Sequence, residues 1–237
     1  LTPSFGPDLV NKALSDMDTL PGSVILDPFA GAGTTLIEAR LEGHKAIGFE
    51  INPLLHFVCK TSIEWGLCAS SLREELTQIK DTVHNRKANT KGKSIEDLGY
   101  SLPPIHNVYR WWREDVLLDL LILLEAIRSC SIEPKHVHFF ELALAGVLVP
   151  DLTNVTLGRL QLHFIDRTEH TIRVWDTFKA HALTMISDLE KVALHTHIGD
   201  AEVYNIDSTN PQITNLPPID RVVTSPPYPN RYSYVWN

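Results

Sequence analysis

Three short runs hold the residues whose types and spacing can do chemistry. They are Asp27-Pro28-Phe29-Ala30-Gly31-Ala32-Gly33-Thr34-Thr35, Phe49-Glu50-Ile51-Asn52-Pro53 and Ser225-Pro226-Pro227-Tyr228. In the first, Gly31 and Gly33 remove the side chains that would keep a ligand off the backbone, and a helix start after them offers free N–H groups. The run has no Lys after its second glycine, as a phosphate-binding P-loop requires, and it lacks the third glycine of a dinucleotide fingerprint. Glu50 follows Gly33 by 17 residues. A carboxylate there can accept hydrogen bonds from both hydroxyls of a ribose.

The third run suits a different task. Two prolines stop a strand, fix the backbone and withhold two amide donors, so carbonyl oxygen is what remains pointing outward. The Ser225 hydroxyl and the Pro226 carbonyl can accept the N–H hydrogens of an aromatic amine. That localises electron density on its nitrogen as it attacks the methyl group of a sulfonium donor. Tyr228 can stack on a base rotated out of a duplex. A plain turn, or a peptide ligand for an aromatic groove, is the other reading of Pro-Pro-Tyr taken alone.

Positioning these runs requires an α/β framework. A helix over Pro7 to Met17 precedes a short buried strand, Ser23 to Leu26, that ends at Asp27; the glycine turn and a helix from Thr34 to Leu41 follow. A second strand, Lys45 to Glu50, comes soon after, which is the rhythm of a parallel crossover unit. A helix is expected near Pro53 to Trp65. Apolar residues then recur at helical spacing over Ser70 to Arg86, Glu114 to Ser129, Pro134 to Leu148 and Trp175 to His195, with a polar loop over His84 to Gly99. Alternation in Leu160 to Trp175 predicts a hairpin. Strand-like runs return at His197 to Ile206 and Ile219 to Thr224. The expected organisation is thus a core over residues 1–68, a mainly helical insertion over 69–190 with a possible DNA-contacting role, and a return to the core over 191–237.

Composition narrows the function classes. With 43% hydrophobic and 21% charged residues among 237, the chain can fill a substantial core. No run reaches the roughly 18 to 20 uncharged apolar residues of a membrane span, since Asp119 and Glu125 interrupt even Val116 to Ile127. The net charge of −8 opposes indiscriminate phosphate binding. Between Arg73 and Arg113, however, eight Lys or Arg face five Asp or Glu. Cys59, Cys68 and Cys130 form no CxxC pair, giving neither a disulfide framework nor a zinc site, and read as buried small side chains of a reducing, cytoplasmic compartment. The histidines, His136, His138, His195 and His197 among them, lack Cys or carboxylate companions at metal-ligand spacing, so no metal is expected. Arg110, Trp111, Trp112 and Arg113 could touch DNA or pack between helices.

Jointly, DPFAGAGTT, FEINP and TSPPY resemble the exocyclic-amino (cytosine-N4 and adenine-N6) DNA methyltransferases of restriction-modification systems. The resemblance implies a Rossmann-like core and S-adenosylmethionine as cofactor. Asp27, Pro28, Phe29, Ala30, Gly31, Gly33 and Thr34 would form its loop, Glu50 would hold its ribose, and Ile51 would also belong to the cofactor site. Thr2 to Leu9 is similar to the family's N-terminal cofactor motif, with Phe5 near the methionine moiety. Gly199-Asp200-Ala201 resembles the segment whose Asp contacts adenine. Ser225, Pro226, Pro227 and Tyr228 would be the catalytic tetrapeptide. Ser in its first place is commoner among cytosine enzymes, Asp or Asn among adenine enzymes, so cytosine N4 is the expected target in double-stranded DNA. Cytosine C5 methylation would need a Cys after Pro, and none of the three follows one.

Two alternatives stand beside this reading: transfer to a guanine amino group in tRNA, and a catalytically silent cofactor-binding or regulatory module. The family's sheet normally continues well past the tetrapeptide, whereas Asn237 follows Tyr228 by nine residues. A further segment or partner chain is therefore expected to complete the enzyme. The first residue, Leu1, is expected to reflect trimming or processing.

Overall fold

A computed structural model describes residues 6–130, 133–157, 162–210 and 215–226. The chain divides into two compact units, Leu1–Trp65 with Lys191–Asn237, and Gly66–Glu190.

The first unit opens with helix α1 (Pro7–Asp16), which has proline in its first turn and buries Val10 and Leu14 one helical turn apart. Strand β1 (Val24–Asp27), helix α2 (Thr34–Leu41), strand β2 (Lys45–Phe49) and helix α3 (Pro53–Ser62) follow. Asn52 caps α3, its side-chain oxygen accepting the N–H groups of Leu54 and Leu55 at 2.9 and 3.3 Å.

The second unit is mainly helical. Helix α4 (Ala69–Lys87), the short α5 (Val108–Trp111), α6 (Glu114–Cys130) and α7 (Pro134–Val147) lead into a π-helical turn at Leu148–Leu152. Pro150 has no N–H to carry an α-helical ladder through that turn. Strands β3 (Val155–Leu157) and β4 (Leu162–Phe164) pair antiparallel, and helix α8 (Val174–Val192) closes the unit. Its core is built by stripes: Leu72, Leu76, Ile79 and Val83 of α4, and Val174, Phe178, Ala182 and Ile186 of α8, recur every three or four residues and pack with Phe140 and Leu123.

The chain then returns to the first unit with β5 (Ala201–Tyr204) and β6 (Arg221–Val222). The four strands form a parallel sheet in the order β5-β2-β1-β6. Beside it, Val10, Leu14, Ile25, Leu36, Ala39 and Cys59 form the core of the unit. The α/β fold of parallel sheet and helices is the Rossmann-like core expected from the sequence. No helix among the described residues is long and apolar enough to cross a membrane.

Three local expectations need correction. Thr171 to Trp175 is not a strand: its Val174 begins the four-residue stripe of α8, and helical burial of that stripe outweighs a five-residue alternation. The partner of β4 is instead Val155–Leu157, upstream. Second, the strand expected from His197 begins only at Ala201. Third, Cys68 is exposed rather than buried.

Candidate functional site

At the carboxyl end of β1 the chain turns through the glycine run, and four kinds of bond hold that turn. Asp27, 1% exposed, accepts the Phe29 N–H at 3.0 Å on Oδ1. The Ala30 N–H reaches across to the Phe49 carbonyl at 2.9 Å. The Pro28 carbonyl accepts a bond from the Ser208 hydroxyl. Finally, the Gly31 N–H donates to Glu50 Oε2 at 2.8 Å. Gly31 and Gly33 lie at φ +54° and +95°, in the left-handed region that side chains disfavour. Gly33 serves as N-cap of α2 with no side-chain cap, and Thr34 is the first residue of that helix.

Glu50 stands at the end of β2 and is 9% exposed. Its two oxygens are used separately: Oε2 takes the Gly31 N–H, and Oε1 accepts the Asn52 N–H at 2.7 Å. Each oxygen keeps a lone-pair direction for a further donor. Ile51, next along, is 63% exposed, and the Asn205 amide donates to the carbonyls of Glu50 and Ile51 at 2.8 and 3.1 Å. Glycine turn, Glu50 and Ile51 are thus fixed to one another by residues that follow β5.

Beneath the turn sits Cys59. A β-carbon on Gly33 would lie 2.7 Å from its Sγ. Burial, with Asp27 and Glu50 adding their negative charge, pushes its thiol up to about 12. Exposed Cys68 goes the other way, to about 7, because Ser70 and Ser71 hydrogen-bond it. Iodoacetamide at pH 7 is therefore expected to alkylate Cys68 first and to leave Cys59 unmodified until the protein unfolds. Peptide mapping against time checks this, and equal labelling of the two would contradict the packing of Cys59.

The tetrapeptide follows β6. Asp220 and Val223 donate N–H groups to the Val24 and Leu26 carbonyls at 2.9 and 3.0 Å, so β6 and β1 run side by side into their loops. Thr224 Oγ1 donates to Asp27 Oδ1 at 2.7 Å. Ser225 is half-buried and Pro226 exposed. Phe5, Pro227 and Tyr228 lie outside the described residues.

Asp200 and Ala201 are not brought to this place. Ala201 pairs in register with Ala46, at the amino-terminal end of the sheet, and Asp200 precedes it. The Gly199-Asp200 pair has a packing explanation instead. A β-carbon on Gly199 would fall 1.8 Å from the His44 carbonyl oxygen, and Arg40 Nε donates to the Gly199 carbonyl at 2.7 Å. The acidic residue on the same side as Glu50 is Asp207, which follows β5 and is kept low in pKa by the backbone and side-chain bonds from Thr209. In the sequence it is the first acid after the short strand that ends at Tyr204.

In the helical unit, Trp112 is buried at 7% exposure. Arg113 is committed to Asp115, at 2.6 Å, and to the Arg167 and His170 carbonyls. Arg110 lies 3.6 Å above the Phe164 ring, against which Trp111 packs edge-on. His136 Nδ1 is 2.7 Å from Glu75 Oε1.

Residues 4–57, spanning the glycine turn and Glu50, match the family model described as DNA methylase, N6/N4 type. Over that segment the chain is similar to exocyclic-amino DNA methyltransferases. Over 97% of its length it is 25% identical to the Type II methyltransferase M.BsoBI of Geobacillus stearothermophilus. Over 86% it is 24% identical to the Type II methyltransferase M.MvaI of Kocuria varians. The chain spans just under half the length of each of these relatives, 48% and 46%. No solved structure matches it.

Proposed function

We propose that the protein transfers a methyl group from S-adenosylmethionine to an exocyclic amino nitrogen of a DNA base, cytosine N4 in preference to adenine N6. The observation that carries this reading is the departure of the glycine turn and of Ser225-Pro226 from neighbouring parallel strands, β1 and β6, on the same side of one sheet. Open α/β sheets bind ligands at that end.

The residues present fit the cofactor. Glu50 offers free lone pairs to ribose hydroxyls, and exposed Ile51 offers an apolar face to adenine. The buried carboxyls of Asp27 and Glu50 lie close enough to Cys59 to raise its pKa. Such a field favours a cation, as a sulfonium is, over a phosphate. Asp207 takes the place of Asp200 as the acid for the adenine side, since Asp207 follows β5 whereas Asp200 precedes it.

When bound, S-adenosylmethionine supplies an electrophilic methyl carbon. The protein's part is to hold the amine. Ser225 Oγ and the Pro226 carbonyl would accept its N–H hydrogens and so direct the nitrogen lone pair at the methyl carbon the cofactor would supply, the proton lost by the amine passing to solvent water. Tyr228 would stack on a base turned out of double-stranded DNA. No covalent enzyme intermediate or metal is needed, and rate comes from orientation.

Calorimetry with S-adenosylmethionine and its demethylated product, followed by mass analysis of nucleosides from DNA treated with the full-length protein, tests the reading. Binding heat and N4-methylcytosine are expected. N6-methyladenine would reverse the base preference, methylated tRNA guanine would move the substrate to RNA, and binding without transfer would leave a silent module.

A further inference from the structure

The buried carboxyl of Asp27 serves two loops with one oxygen. Oδ1 accepts the Phe29 N–H at 3.0 Å, inside the glycine turn, and the Thr224 hydroxyl at 2.7 Å, immediately before Ser225. Backbone pairing between β6 and β1 extends as far as the Val223 N–H on the Leu26 carbonyl, 3.0 Å. Beyond it, Pro226 has no amide to donate. At the point where the chain leaves the sheet for the tetrapeptide, a side-chain bond takes over from the ladder.

We propose that Thr224 is a positioning residue for methyl transfer, its hydroxyl bond to Asp27 fixing Ser225 and Pro226 relative to the glycine turn. This rests on the function proposed above. A hydroxyl on a carboxyl oxygen at this length is short and directional. Its donor and acceptor are adjacent in sequence to the groups that hold the amine and to the loop assigned to the methyl donor. Losing it frees Ser225 and Pro226 from the loop without touching the Glu50 bonds to Gly31 and Asn52, so the reaction step suffers and cofactor binding does not. Valine keeps the β-branched shape and extended preference of threonine, which isolates the hydroxyl.

The test measures kcat, KM and the Kd for S-adenosylmethionine in the full-length protein, with active sites counted by cofactor titration so that any unfolded fraction is removed. Thr224→Val is expected to lower kcat about 10- to 100-fold, the scale of sub-ångström to ångström misplacement, with the cofactor Kd within about threefold of the parent. Thr224→Ser, which restores the hydroxyl, is expected to return kcat to within about threefold of the parent. A parental kcat in Thr224→Val, an equal loss in both variants, or a loss that vanishes once active sites are counted would each overturn the proposal. A parent that neither binds the cofactor nor transfers methyl overturns the proposed function itself, and that result is read before any variant is made.

Discussion

Gly33→Ala is expected to destabilise the α/β unit by about 3 kcal/mol, the sum of a left-handed backbone and an overpacked contact, and to abolish binding of S-adenosylmethionine. Both causes are local. The backbone of Gly33 sits at φ +95°, and the added carbon would be 2.7 Å from the Sγ of buried Cys59, so that something must shift. The two causes can be separated, because the next atoms, Cys59 Cβ and Cα, are 3.4 and 3.5 Å away, ordinary contact. Adding Cys59→Ala should therefore recover the steric part and leave the backbone part. A double-mutant cycle by urea denaturation should show a coupling of about 1–2 kcal/mol. Strict additivity, or a Gly33→Ala protein with the parent's midpoint, would mean the turn does not rest on Cys59.

Removing the Glu50 carboxylate should have an effect of similar size, distributed between fold and ligand. In Glu50→Ala the N–H groups of Gly31 and Asn52 lose their acceptors, at about 1–3 kcal/mol for each donor left without a partner. If the same oxygens also receive ribose hydroxyls, two bonds to a charged group disappear, and the Kd for S-adenosylmethionine should rise at least about 100-fold. Glu50→Gln is expected to fail as well, because one end of its amide must present N–H to an N–H already there. Calorimetry on the folded variant separates the two effects. A Kd within threefold of the parent would remove Glu50 from the cofactor and leave it as a brace for the glycine turn.

Much of this site was legible in the chain because its chemistry is carried by contiguous runs. Asp27 to Thr35, Glu50 with Ile51, and Ser225 with Pro226 each sit where a strand ends, and a strand end can be located from a short apolar run followed by glycine or proline. The parallel sheet was legible for the same reason: close alternation of β1, α2 and β2 leaves few ways to connect them. The Gly199-Asp200 pair misled because a glycine beside an acid has the same appearance whether it admits a ligand or, as here, the His44 backbone. Likewise Thr171 to Trp175 alternates over too few residues to compete with the burial of Val174 in a helical stripe.

Sequence alone determined which residues could bind and react, and that they lie at strand ends of an α/β core. Only the tertiary structure decided which strand ends share an edge and which side chains link them. The Thr224 bond to Asp27, the Ser208 and Asn205 bonds to the loops, and Cys59 under Gly33 join residues 26 to 197 positions apart. Contacts over such separations are set by strand order and register rather than by any local pattern, so no periodicity in the chain announces them.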